Sequence, residues 1–133
     1  MRHEFFIPMA KVPTVTHQEH QVTCKDGKPV FYEPPELKAA RAKLQAHLGQ
    51  HVPDKKYTTA VQLVVKWCFP IKGKHLNGEP KITRPDVDNL MKLFLDCCTS
   101  LGYWSDDAII ASLIVEKFYS DIPGIYVCIK SLE

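Results

Sequence analysis

No stretch of this chain stays apolar for the ~18 residues that a membrane-crossing helix needs. Its start, Met1-Arg2-His3-Glu4-Phe5-Phe6-Ile7, lacks the apolar core of a secretory signal and meets Pro8 at once, so a cytoplasmic protein with no membrane partner is expected. Cysteine is sparse and poorly spaced for cross-linking. Cys24, Cys68, Cys97, Cys98 and Cys128 are odd in number and contain no CxxC pair. That argues against a disulfide framework and against a cysteine zinc site. Cys68, Cys97 and Cys128 lie in apolar segments and read as reduced core thiols. On a helix the adjacent Cys97 and Cys98 point different ways, one into the core and one to its edge. Repeats and low-complexity tracts are missing too, so residues 1–133 read as a single domain large enough to bury its own core.

Negative charge is scarce in the first two thirds. Residues 1–84 carry 14 Lys and Arg against 7 Asp and Glu, a net +7, whereas residues 85–133 carry 3 against 8, a net −5. A basic framework around an acidic centre suits an enzyme that attracts a polyanion and cuts it at a cation. A solvated surface accounts for the lysines alone but not for the gathered acids.

Strands are expected at His3–Pro8, Thr58–Phe69, Ile109–Phe118 and Ile125–Ser131, the last returning antiparallel after a turn at Ser120-Asp121-Ile122-Pro123-Gly124. Val22–Cys24 and Pro29–Tyr32 flank the turn Lys25-Asp26-Gly27-Lys28 and suit a hairpin. Glu33-Pro34-Pro35-Glu36 starts a helix in which Leu37, Ala40, Leu44 and Leu48 share a face and Gly49 is the stop. A second helix covers Asn89–Leu101, with Leu90, Leu93, Phe94, Cys97 and Leu101 on one side and Gly102 ending it. The expected class is α+β: a mixed β-sheet with two helices packed on one face.

The densest chemistry is Asp86-Val87-Asp88-Asn89, with Lys92 following and Asp106-Asp107 beyond. Carboxylates gathered at one point need a cation to hold them, and a hard cation such as Mg²⁺ takes carboxylate, water and substrate phosphate oxygens. The reading is a metal site for phosphate-ester chemistry. It places Asp88 at the helix N-cap, Asp86 on the same side of the extended segment before it, and Lys92 one turn on. The plain alternatives are a capping Asp88 and a surface Asp88–Lys92 ion pair, which leave Asp86 and Asp106-Asp107 unexplained. Geometry is tight. The helix is about 20 Å long at ~1.5 Å per residue, and Gly102–Asp107 reaches at most about 20 Å when extended. Asp107 returns to the helix start only if the chain doubles back along the helix. Otherwise the helix ends early, or Asp107 serves the site of a partner subunit.

Asp86-Val-Asp88-Asn89-Leu90-Met91-Lys92, then Leu95-Asp96, then Gly102-Tyr103-Trp104-Ser105-Asp106-Asp107-Ala108 resemble the RusA family of phage and prophage Holliday-junction resolvases. The spacing of the family's D-x-D-N-L-x-K, F/L-D and G-x-W-x-D-D-A pattern is kept, and the likeness continues into Val115-Glu116-Lys117. The resemblance implies a Mg²⁺-dependent, structure-specific endodeoxyribonuclease (Mn²⁺ able to substitute) that acts as a homodimer on branched DNA in recombination and repair. It implies that Asp86, Asp88 and Asp107 hold the metal and that Lys92 is catalytic. Near the start, Pro13-Thr14-Val15-Thr16-His17 stands where family members often carry a Pro-rich segment followed by asparagine.

On this reading Asp106 supports the metal-holding carboxylates, and Asp96 is an exposed helical acid that the family pattern keeps. Tyr103 and Trp104 are core or interface aromatics. Lys11, His17, Lys66, Lys72, Lys74, Lys81 and Arg84 are candidates for DNA contact, each with a solvated-surface alternative. His17 and His20 suit a polar loop better than a metal site. The rival functions are a catalytically weak junction- or fork-DNA-binding module, a metal-dependent nuclease with another substrate, and an acidic docking surface.

Overall fold

Apolar residues alternate along Val61, Leu63, Val65 and Trp67, and the segment is the ten-residue strand β4 (Val61–Pro70). The computed structural model describes residues 1–13, 21–25 and 27–132, so His17 and His20 lie outside the described residues. Strands β1 (Arg2–Pro8), β5 (Ile110–Ser120) and β6 (Gly124–Ser131) join β4 in one sheet of order β1-β6-β4-β5. The hairpin of β2 (Gln21–Lys25) and β3 (Lys28–Tyr32) forms where the turn residues place it, as a separate two-stranded sheet.

β5 runs parallel to β4, while β6 pairs antiparallel with both β4 and β1. β6 runs opposite to β5, as the sequence suggests, but the two are not neighbours. Instead the chain crosses over so that β4 lies between them. In the sheet centre, flanked by β1 and β4, Ile125, Val127 and Ile129 are fully covered.

The helices are α1 (Pro35–Leu48) and α2 (Val87–Leu101). Pro34 and Pro35 start α1, where a missing N–H costs nothing, and Leu37, Leu44 and Leu48 are its buried stripe. α2 packs on the face of the sheet that carries Trp67, whose ring meets Phe94 edge-on with centroids 5.9 Å apart. Burying an aromatic or large aliphatic side chain is worth roughly 1.5–3 kcal/mol, so this layer is the main source of stability. The opposite face is open and polar, with Gln62, Lys66, Tyr126 and Lys130 around a shallow depression.

α2 ends at Gly102, which takes a left-handed φ of 89°. The chain then folds back over the helix end. Tyr103 N–H donates to Cys98 O (3.0 Å), Tyr103 OH to Leu48 O (2.6 Å), and Trp104 Nε1–H to Thr99 Oγ1 (2.8 Å). Both aromatics are core residues. This fold-back corrects the expectation that one of the two adjacent thiols lies at the core's edge: with α1 on the Cys97 side and the Tyr103 loop on the other, both are buried. Burial pushes the Cys97 thiol up to about 11 and Cys98 well above its ordinary range, so neither is a nucleophile.

Candidate active site

α2 begins two residues earlier than its apolar periodicity indicates. Asp86 is therefore the N-cap and Asp88 lies inside the first turn, not in an extended segment beside Asp86. Asp86 occupies the cap position, but its side chain makes no capping hydrogen bond; the helix is closed by the backbone bond from Leu90 N–H to Asp86 O (3.1 Å). Both carboxylates are exposed at a helix end whose free N–H groups favour anions. Lys92 is exposed one turn beyond Asp88, and among the described residues it forms no ion pair. Neither plain alternative for these residues, a cap bond or a surface pair, is realised.

The loop entering α2 is pinned by Lys117 of β5, whose Nζ donates to the carbonyl oxygens of Thr83 and Pro85, the latter at 2.8 Å. Burial, then the charge of Lys81, lowers the Lys117 ammonium below its ordinary range, while nearby Asp86 pulls the other way. Sequence reasoning missed Lys117, although its place in Val115-Glu116-Lys117, a part of the motif, was the available signal. Arg84 in the same loop opens onto a cavity of about 540 Å³, shared with Lys11, Lys72 and Lys81 and floored by Phe69 and Tyr119. Lys81 Nζ sits 5.1 Å and 5.2 Å from the centres of those two rings. Four of the expected DNA-contact residues thus converge beside the start of α2. Lys66 is on the open face of the sheet, 3.7 Å from Glu116, and Lys74 is exposed on the loop after β4.

Asp107 does not come back to the helix start within one chain. β5 begins at Ile110, level with Val61, and reaches the Asp86 loop only at Lys117. Seven residues of strand at ~3.3 Å each separate the two places, about 23 Å. Asp107 instead faces Asp96 and opens a single 3₁₀ turn, Asp107–Ile109. Asp106 Oδ1 accepts from Ala108 N–H (2.9 Å) and so caps that turn. Desolvation, then a hydrogen bond with Asp106 and the charges of Asp106 and Asp96, holds the Asp107 carboxyl above its ordinary range. Among the described residues, no three His, Cys, Asp or Glu side chains of one chain lie close enough to share a cation. The donors do fit a hard divalent ion in kind: exposed carboxylate oxygens, with a like-charge cluster that a cation would relieve.

Residues 11–130 match the family model described as Endodeoxyribonuclease RusA. The chain is 34% identical over 119 residues to the crossover junction endodeoxyribonuclease rusA of Lactococcus phage r1t, covering 88% of each chain. It is 29% identical over 120 residues to the uncharacterized protein YqaN of Bacillus subtilis (strain 168), covering 82% of this chain and 84% of that one.

Proposed function

The chain belongs to the RusA endodeoxyribonuclease family and is a nuclease of that family, and on that premise we propose that it is a Mg²⁺-dependent, structure-specific endonuclease that resolves four-way DNA junctions in recombination and repair. Residues 1–133 act as one nuclease domain, working as a homodimer in the cytoplasm. The observation that carries the reading is the pair of carboxylates on Asp86 and Asp88, exposed and free of capping bonds at an anion-favouring helix end. Among the described residues no helix is long and apolar enough to cross a membrane.

Asp86 and Asp88 from one end of the fold and Asp107 from the other form the ligand set, which about 23 Å of strand within one protomer makes a set shared between two. A bound Mg²⁺ supplies Lewis acidity at the scissile phosphate and a more acidic water. The protein does the rest. The α2 N-terminus receives the phosphate. Lys92 places a point charge where negative charge grows on the phosphoryl oxygens. Lys117 holds the Thr83–Pro85 carbonyls and so keeps Asp86 at its station. Lys11, Lys72, Lys81 and Arg84 hold the DNA backbone without reading its sequence.

Replacing Asp88 by Asn is expected to cut Mg²⁺-dependent cleavage of a four-way junction more than about 100-fold, since even the groups behind a metal ligand are worth up to that much. Junction affinity in Ca²⁺ should be largely kept. Full cleavage by Asp88→Asn would sink the assignment, and cleavage of RNA or flap substrates in preference to junctions would move it to another substrate class. If the four cations each neutralise a phosphate, junction affinity should fall about 100-fold between 50 and 200 mM salt. A titration flat in salt contradicts that contact set.

A further inference from the structure

Ile82 is the most exposed large apolar side chain among the described residues, at 92%. A single exposed isoleucine is ordinary on a protein surface. This one is held out in water from both sides. Before it, Lys81 N–H donates to Lys117 O (3.1 Å), and Lys81 Nζ lies over the rings of Phe69 and Tyr119. The same Nζ donates to Thr83 Oγ1 (2.6 Å), which ties the two neighbours of Ile82 to each other. After it, Lys117 Nζ donates to the carbonyl oxygens of Thr83 and Pro85. The backbone at Ile82 is thus anchored to the sheet while its side chain stays in solvent. A β-branched side chain is also stiff at its first torsion. One that is already ordered loses little further freedom when it meets a partner.

The surroundings of Ile82 indicate which partner. Lys81 precedes it, Arg84 follows two residues later, and both line the cation cavity with Lys11 and Lys72. Asp86 is four residues on, at most about 14 Å of extended chain. An apolar tip set among cations matches a nucleic acid, whose phosphates meet the charges and whose stacked bases are its apolar interior. Isoleucine is one of the side chains able to wedge between base steps and unstack them. We propose that Ile82 enters the base stack at the branch point of the DNA and selects branched DNA over continuous duplex. At about 3.4 Å per nucleotide, its reach is about four steps from the phosphate at the start of α2. At a branch the stack is already interrupted, so opening it costs less than in an unbroken duplex. The cations grip the backbone of either form alike, and Ile82 adds the discrimination that they lack. The choice of branched DNA rests on the proposed function; the wedge itself does not depend on the metal ligands.

Base unstacking can be read without any cutting. Four-way junctions carrying 2-aminopurine at successive positions from the branch outward are titrated with the full chain in Ca²⁺. The fluorescence of this base rises when its neighbours unstack. Wild-type protein should raise it about threefold or more at a position near the branch, and should change it little in a linear duplex. Ile82→Ala should lose most of that rise at saturating protein, and its preference for junction over duplex should fall about 10-fold, the lower end of what one stacking contact is worth. Ile82→Leu keeps an apolar wedge and should behave as wild type. Because the side chain is exposed, circular dichroism of both variants should be that of the folded chain. An equal rise with Ile82→Ala overturns the wedge, as does a wild-type protein that cuts junctions with no rise at any position. An Ile82-dependent rise from a protein that never cuts in Mg²⁺ overturns the nuclease reading and leaves the wedge standing.

Discussion

Mixing Asp88→Asn protein with an equal amount of Asp107→Asn protein is expected to restore cutting that neither has alone. On the proposed shared site, each variant by itself carries a damaged ligand in both sites of its dimer. In a heterodimer whose sites are completed across the two-fold axis, one site collects both substitutions and the other collects none. Random exchange makes half the dimers mixed, so about a quarter of the wild-type number of sites is intact. Because each heterodimer has one working site, it should nick a junction on one strand and release few paired products. The physical basis is the path of β5, which carries Asp107 level with Val61 and reaches the Asp86 loop only at Lys117. Denaturing gels of strand-labelled junctions, read after subunit exchange has been verified, give the answer. No recovery in the exchanged mixture would place all three aspartates of a working site in one chain.

Gly124→Ala should be the most damaging single-methyl substitution in the fold. Gly124 opens β6 at φ 155°, opposite Pro8 of β1. A Cβ there would sit 2.2 Å from Ile7 O and 2.6 Å from Phe6 Cζ. The first of these is backbone of a paired strand and cannot step aside, so β1 must separate locally from β6. Adding the steric clash to the strained backbone gives about 3 kcal/mol or more, which for a chain of this size lowers the melting temperature by about 10 °C. Gly73→Ala is the control. Gly73 also has a positive φ, 60°, but nothing lies within 4 Å of its Cβ position, so only the backbone term of about 1 kcal/mol remains. Equal melting temperatures for the two variants would contradict the clash. β1 lies at the opposite edge of the sheet from β5, so Gly124→Ala protein that is folded at low temperature should still cut junctions.

The chain's local features were legible in its sequence because they depend on near neighbours. Leucine spacing fixed the buried face of α1, the paired prolines its start, and alternating valines the strand β4. The carboxylate motif marked the candidate site for the same reason: its meaning lies in residue type and spacing. The start of α2 is hidden from apolar periodicity because Val87 and Asp88 are exposed, so the first helical turn adds nothing to the apolar stripe that reveals a helix. Pairing partners are a different matter. β5 and β6 are consecutive and joined by a short turn, yet β4 separates them, and the central position of β6 covers Ile125, Val127 and Ile129. Cys98 is buried by a loop that folds back from beyond the helix. Asp107 could reach the start of α2 by chain length alone, but the parallel pairing of β5 with β4 holds it at the far end. By itself, then, the sequence marked which side chains are candidates for the chemistry and which segments form helix or strand. Only the tertiary structure decided which of those side chains meet within a single chain, because sheet order is settled by burial between residues far apart in sequence, which no local spacing records.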